Sequence, residues 1–239
     1  MRNFMVRALG VALMVTPPVM AAPPAFIAAA VADAGRPAED KARDELRKPA
    51  EMLAFAGIRR GMKIGELLPG GGYFTRLFAA AAGPRGKVYA YIPGEGPGRG
   101  VDRFAPVAAA LPAVIVVRGA EFVAPEALDL VWTSQNYHDL HLRGANAGHV
   151  NVAVFAALKP GGVYIVADHR ARPGSGTQDT DALHRIDQAA VIAEVQAAGF
   201  VLAGESMALR RDDDDHMKKP SEIHDRSDQF VLKFVKPRK

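Results

Sequence analysis

Ile64-Gly65-Glu66-Leu67-Leu68-Pro69-Gly70-Gly71-Gly72-Tyr73-Phe74-Thr75 is the stretch whose reading decides the fold. An apolar run closes on an acid, a glycine cluster follows, and a helical pattern runs from Tyr73 to Ala82. That order predicts a strand, a tight turn and a helix. Glycine tolerates positive φ and lets the backbone approach a ligand, while the free N–H groups of the helix start face it. A tight surface turn has the same composition, so the choice between the two rests on what surrounds the stretch.

Outward from it, strand and helix alternate. Apolar strands are expected at 63–68, 86–92, 113–118, 128–133 and 162–168, with helices at 73–82, 101–111 and 145–158 between them. Short apolar strands separated by helices predict a parallel sheet covered on both faces, with its ligand at the strands' carboxyl ends. After a polar loop, 170–181, a helix is expected from Leu183 to Ala198, then strands at 200–207 and 229–235. Two strands joined by a loop rather than a helix pair antiparallel. The expectation is therefore an α/β, three-layer sandwich whose seven-stranded, mostly parallel sheet ends in an antiparallel strand.

Before the first strand, Pro37 opens a charged helix and a second one runs from Ala50 to Ala56. Arg43 and Arg47, four apart, share one helical face, read as a solvated face with anion binding as the alternative. Residues 22–36 are Ala- and Pro-rich and read as a linker, with a loose helix from Phe26 as the alternative, so the expected division is leader 1–21, linker 22–36 and one domain 37–239. The leader is argued from Arg2 and Arg7, the apolar run Ala8 to Val15 and small residues around Ala21. This layout predicts a cleaved secretory signal, hence an exported, periplasmic chain with no stable membrane span after cleavage.

Hydrophobic residues make up 49% of the 239, enough for a sizeable core. The net charge of +4 falls to +2 once Arg2 and Arg7 are set aside, too little to argue for a phosphate-binding surface, so nucleic acid is rejected as a partner. The chain has no cysteine, which excludes disulfides, thiolate metal sites and cysteine nucleophiles. Oligomeric state is not readable from the sequence.

Several motifs then resemble, in order, the class I S-adenosylmethionine-dependent methyltransferases. Glu66 to Tyr73 looks like their first motif, Leu128-Asp129-Leu130-Val131-Trp132 like their fourth strand, and Ala157-Leu158-Lys159-Pro160-Gly161-Gly162 like the turn before their fifth. Ala197-Ala198-Gly199-Phe200 is similar to the start of their sixth strand. The nearest subgroup in resemblance is the exported "predicted methyltransferases". The resemblance implies a Rossmann-like fold, S-adenosylmethionine as cofactor and a small-molecule substrate. It implies cofactor contacts from Glu66, Leu68, Pro69, Gly70, Gly71, Gly72 and Asn136. Two positions depart from the pattern: Leu68 stands where the turn has glycine, and Tyr91 where the second strand ends in the acid that holds the ribose. Glu95, in the following loop, and Glu121, after the third strand, are the substitute carboxylates.

The densest polar cluster, Asn136-Tyr137-His138-Asp139-Leu140-His141, follows the fourth strand. His138 or His141 is a candidate base, since imidazole titrates near neutral pH, and Tyr137 a candidate stacking surface for substrate or sulfonium. Asp139 and Asp168, the latter expected beside His169 on the same side of the sheet, complete the catalytic candidates. These residues are of metal-ligand type, but nothing in the sequence fixes a third ligand, and no metal is assigned. The alternatives to an enzyme are an exported binding protein that keeps the fold and has lost cofactor chemistry, and a nicotinamide oxidoreductase. The latter needs Gly-x-Gly-x-x-Gly and an acid after the second strand.

Overall fold

Strands β1 (Lys63–Leu67), β2 (Lys87–Pro93), β3 (Val114–Gly119), β4 (Leu128–Ser134) and β5 (Leu158–His169) lie parallel. β6 (Val201–Ser206) and β7 (Gln229–Val235) complete one seven-stranded sheet in the order β3-β2-β1-β4-β5-β7-β6, with β7 antiparallel to both neighbours. The structure is a computed structural model and describes residues 22–94, 99–142 and 144–238. The expected leader, 1–21, and Glu95 lie outside the described residues.

Side chains alternate across the sheet, so each strand feeds two cores. Ile64, Val88, Ala90, Leu130 and Trp132 pack under Phe74, Leu77 and Phe78 of α5 (Tyr73–Ala82) and Phe104 of α6 (Arg99–Ala110). Tyr89, Tyr91, Val131, Tyr164 and Val166 face the other way, toward Val154 of α7 (Ala147–Ala157) and Val191 and Val195 of a later helix. No helix among the described residues is long and apolar enough to cross a membrane.

Three expected boundaries change. The stretch read as a linker holds α1 (Ala25–Val31), whose Ile27 and Ala30 are buried in the first core against α5. The following charged segment forms α2 (Ala38–Lys41) and α3 (Asp44–Arg47), and α4 (Pro49–Ala56) ends on Gly57 at φ 75, a left-handed C-cap.

The single late helix expected over 183–198 is two: α8 (Thr180–Leu183) and α9 (Gln188–Ala197). Between them Arg185 is buried, donating to the carbonyls of Arg170 and Lys218 and pairing with Asp214 at 2.8 Å. Helical propensity over this segment gives way to that buried guanidinium, and Asp187 restarts the helix by accepting the Ala189 N–H. Asp214 is accordingly no part of a freely solvated acidic loop. α10 (Pro220–Ile223) precedes β7.

Candidate active site

The strand order reverses between β1 and β4, and a cleft of about 510 Å³ opens at their carboxyl ends. One wall is the turn from Leu68 to Gly71, another is Trp132 with Ser134, Gln135, Asn136 and Asp139. Asp40, Arg43 and Arg47 from the N-terminal helices close the third side.

Glu66 is the most deeply buried acid of this cleft. Its alternation partner Ile64 packs under α5, so Glu66 points to the same face, where Thr75 Oγ1 meets its Oε2 at 2.5 Å. Burial pushes its carboxyl up to about 8, against the Thr75 hydrogen bond and the pull of Arg76. At neutral pH the cleft therefore holds a protonated acid. Trp132 brings a second unspent group, an Nε1–H that is buried without an acceptor.

The turn departs from all-glycine geometry at Leu68, which sits at φ 52. A side chain in that left-handed region costs roughly 1–2 kcal/mol, which is the reason glycine suits the position. The conformation is held from outside. Leu68 N–H donates to Tyr91 O at 2.9 Å, and Asn136 Nδ2 donates to Leu68 O at 2.9 Å. Asn136 Oδ1 in turn takes the Thr133 hydroxyl. Asn136 thus lines the cleft and splices the β4 loop to the turn.

The arginine side of the cleft is a network rather than a solvated face. Arg47 is 11% exposed, lies 4.7 Å over the Tyr73 ring and donates to Gln135 Oε1. Arg43 and Arg47 both bind Asp225, whose carboxyl is held far below its usual range by these two charges in spite of its burial. Arg36 forks onto Asp44 with two 2.7 Å bonds, and Tyr73 donates to the same carboxylate at 2.6 Å. Beyond Arg43 and Gln135 lies a second cleft of about 530 Å³, walled by His169, Ser221, His224 and Asp225. Gln135, shared by both clefts, is itself strained at φ 62.

No protein-family model matches the chain, and no curated protein matches it in sequence. Solved structures do match in shape. An S-adenosylmethionine-dependent methyltransferase from Aquifex aeolicus superposes with a TM-score of 0.60 at 16% identity, over 82% of this chain and 93% of its own. The glycopeptide N-methyltransferase MtfA, in complex with S-adenosylmethionine, gives 0.54 at 17%, over 79% and 86%. The cyclase SpnF gives 0.56 at 16%, over 84% and 82%.

The fold is that of the class I methyltransferases. Within this methyltransferase fold, Glu66, Leu68, Pro69, Gly70, Gly71, Asn136 and Asp139 all line the principal cleft. Gly72 does not line it. A Cβ there would lie 2.8 Å from Val107 Cγ1, so its missing side chain makes room for α6. Tyr91 points to the opposite core, stacks edge-on to Phe122 and donates to Gly119 O at 3.1 Å. One residue further along β2 the alternation reverses, and Ile92 is the residue that faces the cleft. Glu121 is exposed and outside the cleft lining.

The catalytic candidates separate in the same way. Tyr137 is fully buried, accepting from Asn151 and donating to Glu194 at 2.8 Å each, and burial raises its phenol further from ionisation. His141 lies 3.3 Å from the same Glu194, away from both clefts. Asp168 and His169 point to opposite faces, because successive strand residues must. His169 reaches the second cleft, where burial depresses its imidazole to about 4 and Ser227 Oγ lies 2.7 Å from Nδ1. Asp168 is buried beneath His138, accepting its backbone N–H at 2.7 Å and facing its Nδ1 at 2.9 Å. Burial of this pair opposes both charges. Their attraction outweighs it, holding Asp168 below and His138 above their ordinary values.

Sequence reasoning did not assign Asp40, Arg103, Trp132 or Asp225 to the site, and it read Arg43 and Arg47 as a solvated face with anion binding as the alternative. The four-residue spacing of the two arginines was the available signal. What decides their role is Asp225, far away in the chain, and no local pattern marks it.

Proposed function

We propose that this chain is an exported S-adenosylmethionine-dependent methyltransferase acting on a small-molecule acceptor. One observation carries the reading: the glycine turn and the buried Glu66 meet in a single cleft at the reversal point of a methyltransferase sheet. S-adenosylmethionine, when bound, supplies a methyl group on a sulfonium, open to in-line attack. The protein's part is then to position two reactants and set their electrostatics.

The residues present fit that cofactor. Glu66, neutral while the cleft is free, gives up its proton to become the counter-ion of an arriving ammonium. Arg103 and Arg43 stand on the cleft's rim as cations for a carboxylate, and Trp132 keeps water from the floor and offers its free Nε1–H. Where the resemblance expects a ribose-holding acid at the end of β2, Ile92 lines the cleft and offers no acceptor. Each charge-assisted hydrogen bond forgone there costs about 1.5–3 kcal/mol, so affinity below that of ribose-clamping methyltransferases is expected.

The acceptor enters the second cleft, which shares Arg43 and Gln135 with the first and offers the neutral His169 imidazole. Export rests on the arginine-flanked apolar leader ending near Ala21. Cell fractionation tests export, and recovery of the chain only in the cytoplasm would remove it; N-terminal sequencing of the secreted form tests cleavage near Ala21, which an intact Met1 would remove.

The cyclase SpnF shares this fold, so binding and transfer need separate readouts. Calorimetric titration of the chain from Ala22 with S-adenosylmethionine and S-adenosylhomocysteine reads the first. Transfer of isotopically labelled methyl to a panel of small nucleophiles reads the second. No heat and no thermal shift at millimolar ligand would remove the cofactor reading.

A further inference from the structure

His138, Asp139 and His184 each bring a ligand atom into one group within which all lie within 4.8 Å of one another. The first two stand on the 3-10 turn His138–His141 after β4, and the third is the residue that ends α8. No sequence spacing joins His184 to the others; the packing of α8 on the turn does.

The geometry of His138 is that of an oriented ligand. Asp168 holds its Nδ1 at 2.9 Å, so in the neutral imidazole the proton sits on Nδ1 and the Nε2 lone pair is left free. Nε2 lies 3.5 Å from Asp139 Oδ1, and the His184 ring stands edge-on at 5.4 Å between centroids. A buried carboxylate behind one ring nitrogen, with the other nitrogen facing further donors, is the arrangement by which metal-binding histidines are oriented. His184 is held at φ 52, a strained backbone for a residue with a side chain and one that turns its imidazole back toward the turn.

We propose that His138 Nε2, Asp139 and His184 bind a first-row transition dication of the zinc class. Two imidazoles and a carboxylate suit such an ion better than magnesium or calcium, which prefer all-oxygen sets. Three protein ligands leave a coordination position open. Asp139 also lines the principal cleft, so the ion becomes part of that cleft's wall and takes a lone pair from a small molecule held there. The proposal stands apart from the cofactor reading and is tested without S-adenosylmethionine. The competing arrangement is metal-free: a charged His138 bridging Asp168 and Asp139.

The test is titration of chelator-treated, dialysed chain with Co2+ followed by Zn2+, reading visible cobalt bands and calorimetric stoichiometry. One equivalent of cobalt, with bands of a low-coordinate site that zinc abolishes, is expected. Asp139→Asn and His184→Gly should each weaken binding by about tenfold or more, and Asp168→Asn by roughly 10–100-fold. Glycine suits the positive φ at 184, and Asp139 is exposed, so both variants should melt like the parent without metal. Absence of cobalt bands in the parent overturns the proposal. So does parental affinity in both Asp139→Asn and His184→Gly, which would assign the ion to other histidines.

Discussion

Replacing Glu66 with glutamine isolates the most deeply buried acid of the principal cleft. Burial lifts its carboxyl from 4.5 in the open chain to about 8 in the folded one. The folded state therefore binds the proton more tightly, and this group's stabilisation is fully present below 4.5 and lost as pH rises through 8. The span is about 3.5 pH units at 1.36 kcal/mol each, on the order of 5 kcal/mol in all. Glutamine keeps the shape and has no proton to lose. Between about pH 5 and pH 7.5 the parent should lose on the order of 3 kcal/mol that Glu66→Gln does not, so the variant's relative stability climbs with pH. Urea unfolding of both proteins at several pH values reads this directly. Parallel pH profiles would refute the assignment of a neutral, buried Glu66. A second readout follows from the cofactor reading: S-adenosylmethionine binding near pH 7 should release a proton in the parent only. Calorimetry in buffers of different ionisation enthalpy would show it.

Three further outcomes are expected. Gly72→Ala, at φ 79 and with its Cβ 2.8 Å from Val107, should destabilise by about 2–3 kcal/mol, with Val107→Ala recovering part of it. Chemical denaturation of the double-mutant cycle measures the coupling, and no recovery would separate Gly72 from α6. Leu68→Gly relieves a left-handed side chain while losing a half-buried one, so stability should move by less than about 1 kcal/mol. The cleft widens, and calorimetry should show S-adenosylmethionine binding tighter than in the parent. Asp225→Asn strips the counter-charge from Arg43 and Arg47 and should cost about 2 kcal/mol in unfolding free energy. An unchanged melting temperature would mean the network adds nothing.

How much was readable from the chain follows the range of each interaction. Short apolar strands between helical repeats declare a covered parallel sheet, and the absence of a helix between 200–207 and 229–235 declares the antiparallel end. The same period-2 logic, applied at the strand tips, would have separated Asp168 from His169 and Tyr91 from Ile92. What it lacked was the register, since a one-residue slip reverses every face. The late helix was misread because its propensity is helical throughout, while Arg185 is buried by partners on two distant loops.

By itself the sequence determined the strand–turn–helix at Glu66 to Thr75, the sheet's order of elements and the cleft's position, because each depends on neighbours along the chain. Tertiary structure alone decided that Arg43 and Arg47, held by Asp225, close that cleft, that Tyr137 and His141 turn away from it, and that His184 meets His138. Those contacts join residues far apart in the chain. Their energies come from burial and charge pairing that exist only once the sheet has brought the segments together.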